Sequence, residues 1–283
     1  MVCRTIGVAG LLLALCDRAD ATPSLGGGAT PVDRGFSVTP DVVVRIYVPK
    51  GKLRVQVWDR DSIHVRGQMS DGASFFGGGS RTHVKLGVEA RVASDPRLPE
   101  ADWVVHIPRR TRVWVKQIDG DLEVTGTSAE LEAYTVRGRM VVHDVSGNTM
   151  LESIDAPVTV QNGRGDLRVR GSKGAVVLQH VQGTVSVATV SGPVTVQAAR
   201  FDGRVETIGG DVIVERPELG KAELEIQTHS GGVTLRVDPR SAPRLTLSSR
   251  AGPPVGDVMA GSAEHGQLTV RSFKGRITVQ ALR

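Results

Sequence analysis

The residues in this chain that could do chemistry are spaced carboxylates and guanidiniums. Asp166 and Arg168 recur as Asp202 and Arg204, and Asp121 and Asp211 each follow a glycine. Hydrolases and lyases that cleave polysaccharides use paired carboxylates or a carboxylate beside a basic side chain, so a carbohydrate-active enzyme is the catalytic reading these residues allow. Other chemistries lack their residues. His64, His83, His106, His143, His180, His229 and His265 show neither H-x-x-x-H nor H-x-H spacing, so no metal is expected. Gly77-Gly78-Gly79 leads into an alternating, strand-like stretch and not a helix, so it does not read as a phosphate loop. No G-x-S-x-G elbow occurs. No cofactor is expected.

The elements that must position those carboxylates are legible as a repeat. The chain has 283 residues, with 34 Gly and 4% aromatic residues, a composition that favours many tight turns and short strands over helices. Units starting at 111, 120, 129, 138, 147, 156, 165, 174, 183, 192, 201 and 210 share the pattern x-x-Φ-x-Φ, usually led by Gly. The third and fifth positions are apolar throughout except at Thr149 and Gly203. Period-two alternation puts both apolar side chains on one side of a strand, and the leading Gly supplies a turn. The spacing predicts an all-β solenoid, a single-stranded β-helix-like stack of nine-residue strand-turn units, two per 18-residue coil; an antiparallel roll or meander is the alternative. Its interior is Val113, Val115, Leu122, Val124, Leu131, Met140, Val142, Leu151, Val158, Val160, Leu167, Val169, Val176, Leu178, Val185, Val187, Val194, Val196, Val212 and Val214. Asp166 and Asp202 then lie two coils apart, roughly 9 to 10 Å, near the upper limit for an inverting pair. Acidic residues do not recur at one turn position, so a stacked calcium ladder lacks ligands.

Residues 1–21 read as an export signal: Arg4, an apolar run from Ile6 to Leu15, then Ala19-Asp20-Ala21, with cleavage expected between Ala21 and Thr22. The run is too short to span a bilayer, and Leu15 before Cys16 does not suit a lipobox. Both cysteines fall in this segment, so the mature chain has no thiol chemistry. No later stretch reaches transmembrane length. The net charge of +5 is dispersed among acidic residues, which argues against nucleic acid as partner. Residues 22–35 read as a flexible linker, 36–110 as irregular strands, 111–214 as the regular stack and 215–283 as irregular strands. Two stretches, 68–81 and 248–265, read as Gly-rich loops.

The outward residues separate two faces. One carries Arg112/Trp114, Glu130/Glu132, Asp166/Arg168 and Asp202/Arg204, an ordinary solvated surface. The other, with Val141, Thr159, Val177, Thr195 and Ile213, is flat and nearly uncharged, and is the candidate binding face. Phe75 and Phe76, in the first Gly-rich stretch, are a candidate contact loop.

GKLRVQVWDRDSIHVRG (51–67), WVVHIPRRTRVWVKQIDGDLEVTG (103–126), SGPVTVQ (191–197) and GGDVIVE (209–215) together resemble the bacterial β-strand-repeat family of envelope proteins called putative adhesins, a domain of unknown function, over residues 36–283. The resemblance implies a β-helix-like fold on the bacterial envelope and supplies no catalytic residues. The expectation is an exported, non-catalytic module for adhesion, binding or scaffolding, in the periplasm, on the outer surface or secreted, with an envelope protein or polysaccharide surface as partner. A polysaccharide lyase or hydrolase, and an ectodomain-like regulator of envelope-stress signalling, are the alternatives.

Overall fold

The structure is a computed structural model that describes residues 28–257 and 261–282. The expected export signal, with Ala21 and Thr22, lies outside the described residues. The described chain is all β, with no helix. Its strands are β1 (Thr30–Ser37), β2 (Val43–Trp58), β3 (Ser62–Met69), β4 (Ala73–Gly79), β5 (His83–Ala90), β6 (Glu100–Pro108), β7 (Arg112–Thr125), β8 (Glu130–His143), β9 (Ser146–Ser153), β10 (Val158–Gln161) and β11 (Arg164–Gly171). They continue as β12 (Val176–Gln179), β13 (Gln182–Thr189), β14 (Val194–Gln197), β15 (Arg200–Thr207), β16 (Val212–Glu215), β17 (Glu223–Thr228), β18 (Val233–Val237), β19 (Pro243–Ser249), β20 (Val255–Gly256), β21 (Ser262–Ser272) and β22 (Ile277–Ala281).

From β7 to β16 each strand pairs in parallel with the strand one coil on, at a constant offset such as Leu167↔Val185 and Val176↔Val194. The body is therefore the stacked solenoid, and the antiparallel alternative applies only to the pairings of β1, β3 and β6 and of β4 and β5 at the N-terminal end. In the middle of the body the two strands of a coil are unequal: β9, β11, β13 and β15 have eight residues, whereas β10, β12, β14 and β16 have four. This gives a long-strand face and a short-strand face; β2, β7 and β8 each run through both. Every interior residue predicted from Val113 to Val214 is buried. Burial of each Val or Leu contributes about 1.5 to 3 kcal/mol, and parallel stacking lets one coil's side chains cover the next.

Of the two exceptions to the alternation, Thr149 stays buried as a polar residue and the coil of Gly203 compensates internally. Gly203 stands opposite Val185 at a core position, while Phe201, opposite Gly183, is buried in its stead. Residues two apart share a side of the strand, so the ring supplies volume beside the missing side chain.

Both ends depart from sequence order. At the N-terminal end β2 lies between β7 and the β5/β6 coil, although β5 and β6 come later in the chain. At the C-terminal end β21 and β22 lie between the β17/β18 coil and the outermost β19 and β20. The expected linker ends early, because Thr30–Ser37 forms β1 on the edge of β3, with Val32 buried. The stretches read as Gly-rich loops also hold strands: β4 pairs with β5, and β20 pairs with β22. A glycine-rich segment beside an unpaired edge gains backbone hydrogen bonds that its own side chains do not advertise.

Candidate binding face

Val141, Thr159, Val177, Thr195 and Ile213 come together as one column, each opposite the next across the parallel ladder of the short-strand face. The column continues through Thr234 and Thr278. All seven are half-buried, because their Cβ branches are covered by the coils above and below while their tips meet solvent. Glu123 and Arg54 precede Val141 in the same column and mark where charge begins.

A second column was not read from the sequence. Gln161 donates its side-chain amide to Gln179 Oε1 at 2.7 Å, Gln179 to Gln197 at 2.7 Å, and Gln197 to Glu215 at 2.9 Å. Glu215 accepts from Arg236, whose Nε reaches Gln280 at 3.2 Å. Each amide thus gives one N–H to the next coil, which ties these polar side chains to one another along the stack. The signal for this ladder was Gln at 161, 179 and 197, a period of 18 that a period of nine merges with the other turn.

A third column borders the face at the corner where the long strand gives way to the short one. Ile154, Val190, Ile208 and Phe273 occupy this corner in their coils and are 40 to 57% exposed. Ser172 and His229 take the place in the intervening coils, and backbone bonds such as Ile208 N to Thr189 O and Phe273 N to Thr228 O hold the corners in line. His229 stacks on Phe273 at 5.0 Å, and Arg250 lies over the same ring at 4.9 Å. This ridge escaped the sequence reading because the residues sit in turns, outside the x-x-Φ-x-Φ strands.

The long-strand face is chemically different. It holds a groove of about 350 Å³ lined by Glu130, Glu132, Asn148, Met150, Asp166 and Arg168 among others. Asp166, Thr184 and Asp202 lie in register, so the two carboxylates are two coils apart as predicted. Several of the charged candidates have structural partners. Asp202 accepts the Glu223 N–H at 2.7 Å, and Arg204 pairs with Glu206 at 3.1 Å and Glu225 at 3.0 Å. On the other face Asp211 accepts the Gly232 N–H at 2.7 Å, and Asp121 pairs with Arg139 at 3.0 Å. The hydrogen bond from Gln227, helped by Arg204 and Arg271, holds the Glu225 carboxyl below the usual range. Its partners mark Glu225 as a hub of ion pairs.

Phe75 and Phe76 are in strand β4, not in a loop. Phe75 packs against the core, with its ring 5.5 Å from that of buried Trp103. Phe76 stands opposite Gly87, where any side chain on residue 87 would strike its ring. Among the described residues no three of His, Cys, Asp and Glu converge to hold a metal ion, and no helix is long and apolar enough to cross a membrane.

None of the curated proteins compared with the chain matches it. Solved structures similar to it include two of adhesin-like description. One is described as a putative cell adhesion protein from Clostridium sporogenes, at 11% identity over 89% of this chain and 100% of that one, with a TM-score of 0.34. The other is described as a putative adhesin from Bacteroides fragilis, at 10% identity over 89% and 97%, with a TM-score of 0.41. At these values the fold rests on the register of the chain itself. Residues 36–258, which span the antiparallel cap, the body and the coil edge at β20, match the family model for Toastrack DUF4097, and the chain belongs to that family.

Proposed function

We propose that this protein is an exported, non-catalytic envelope module that holds a protein or polysaccharide surface against its short-strand face. The observation that carries the reading is the uncharged strip of Val141, Thr159, Val177, Thr195 and Ile213, flanked by the glutamine ladder on one side and the exposed apolar corner on the other. A flat surface of short, β-branched side chains, bordered by amides tied to one another, loses little side-chain entropy on contact, which suits adhesion or scaffolding. Export to the periplasm, outer surface or medium rests on the composition of residues 1–21.

The test is a pull-down from native envelope extract, comparing the natural protein with a Val177→Lys, Thr195→Lys double variant. Both positions face outward, so the variant keeps its circular dichroism and melting temperature, and captured material falls about tenfold, equivalent to about 1.4 kcal/mol. Undiminished capture by a folded double variant removes the short-strand face from the proposal. A polysaccharide-cleaving reading has one observation in its favour, the groove beside Asp166 and Arg168. New reducing ends or unsaturated products that disappear on Asp166→Ala would replace the non-catalytic reading.

A further inference from the structure

Among the described residues, strand β4 is an edge that no other strand covers. It pairs with β5 on one side only. Natural sheets blunt their edges with Pro, charge or shortness, and the other outermost strands here follow that rule. Strand β1 carries Pro31, Asp33 and Arg34, β19 opens with Pro243-Arg244, and β20 has two residues. Strand β4 reads Ala-Ser-Phe-Phe-Gly-Gly-Gly, uncharged throughout and exposed from Gly77 to Gly79.

We propose that β4 pairs edge to edge with β4 of a second copy of this chain, forming a two-fold antiparallel dimer. The ladder with β5 fixes which backbone groups are free. Gly72 O accepts from Arg91 N, and Ser80 N donates to His83 O, so the even-numbered residues exchange bonds with β5. In an antiparallel ladder the alternate residues then direct N–H and C=O away, which leaves Phe75, Gly77 and Gly79 facing outward. Centring the two-fold axis on Phe76 pairs Phe75 of one copy with Gly77 of the other, both members of the outward set. The register is therefore compatible with hydrogen bonding on both strands. It places Phe76 opposite Phe76 of the second copy at a closely spaced, non-hydrogen-bonded pair, where aromatic side chains stabilise a sheet. Asp71 and Arg81 lie in the turns just beyond the two ends of β4, so antiparallel pairing brings the Asp71 end of one strand beside the Arg81 end of the other. Both are exposed; within its own chain Asp71 accepts the Gly72 N–H at 3.0 Å and lies 3.9 Å from Arg91. Opposite charges at the two ends of an uncharged strand are self-complementary under a two-fold axis.

Sedimentation velocity of the exported protein tests this. A dimer is expected at about 10 to 100 µM, the weak range of a small interface. Phe76→Lys places two ammonium groups across the axis and gives a monomer at all these concentrations. Asp71→Arg weakens dimerisation about tenfold, and Asp71→Arg combined with Arg81→Asp restores it. On oxidation, Phe76→Cys yields a disulfide-linked dimer and Ser74→Cys does not, because only residue 76 meets its own copy. Unchanged melting temperatures show that each variant is folded. A natural protein that stays monomeric over the whole range, or a Phe76→Lys variant that dimerises as well as the natural chain, overturns the proposal.

Discussion

The two corners of each coil do the same job, turning the chain between faces, by opposite physical means. At the corner that leads from the long strand to the short one, Gly174, Gly192, Gly210, Gly231 and Gly275 form a column, and a Cβ on each would collide with a backbone carbonyl of the neighbouring coil. Before the glycine a buried hydroxyl closes the turn: Thr189 donates to Gly192 O at 3.0 Å and Thr228 to Gly231 O at 3.1 Å. At the other corner Asp144, Asn162, His180, Ala198 and Arg216 all adopt positive φ, between 45° and 56°, with no glycine among them. The first corner needs glycine because coils approach too closely for a side chain. The second needs a left-handed residue but leaves it room, so the sequence varies freely there. Close approach and backbone handedness are separate demands that these two corner columns meet one each, whereas Gly147, Gly165 and Gly183, at the start of the long strands, meet both at once.

The largest effect that would test this contrast is Gly192→Ala. Its Cβ meets the Gly174 carbonyl, which cannot move without shifting a whole coil, so stability falls by about 3 kcal/mol. Urea denaturation measures it, and an unchanged midpoint would show that glycine does not set the coil spacing there. Thr189→Val keeps the shape but deletes the buried hydroxyl donor, and a loss of about 1 to 2 kcal/mol is expected in the same measurement. The smallest effect has the opposite sign. Ala198→Gly relieves a left-handed alanine, about 1 to 2 kcal/mol, against about 0.4 to 1 kcal/mol from greater freedom in the unfolded chain. A net gain of about 0.5 kcal/mol is therefore expected, and a loss as large as that of Gly192→Ala would erase the distinction between the corners.

The core of the body was readable because alternation is a strong constraint: Val113 to Val214 were placed inside from spacing alone, and the structure buries them all. The candidate face was readable for the same reason, since the residues between core positions must point outward. What spacing could not carry is the identity of neighbours. Leu245, Leu247, Leu268 and Val270 obey the same alternation, and nothing in it says that the later pair lies between the earlier one and Leu224 and Ile226. Strand β4 was hidden for another reason. Its glycines suggest a loop, and only the free edge of β5, with Val84, Leu86 and Val88 directed into the core, makes it a strand. The glutamine ladder required comparing every second unit, because a nine-residue register superimposes two corners of different chemistry.

The out-of-order coils at the two ends bear on how such a protein could change length over generations. Each end is clasped by a chain segment that leaves the stack, builds the outermost coil and returns beneath it, or does the reverse. A duplication or deletion there would have to rebuild a crossing connection as well as a coil. Between β8 and β16, by contrast, one coil joins the next at a constant 18-residue step with matching Gly and Gln columns, so a tandem gain or loss of 18 residues leaves both clasps untouched. A change of length by whole coils is thereby easiest in the middle of this fold, where the breadth of the uncharged face can be adjusted one coil at a time while the closures at either end stay the same.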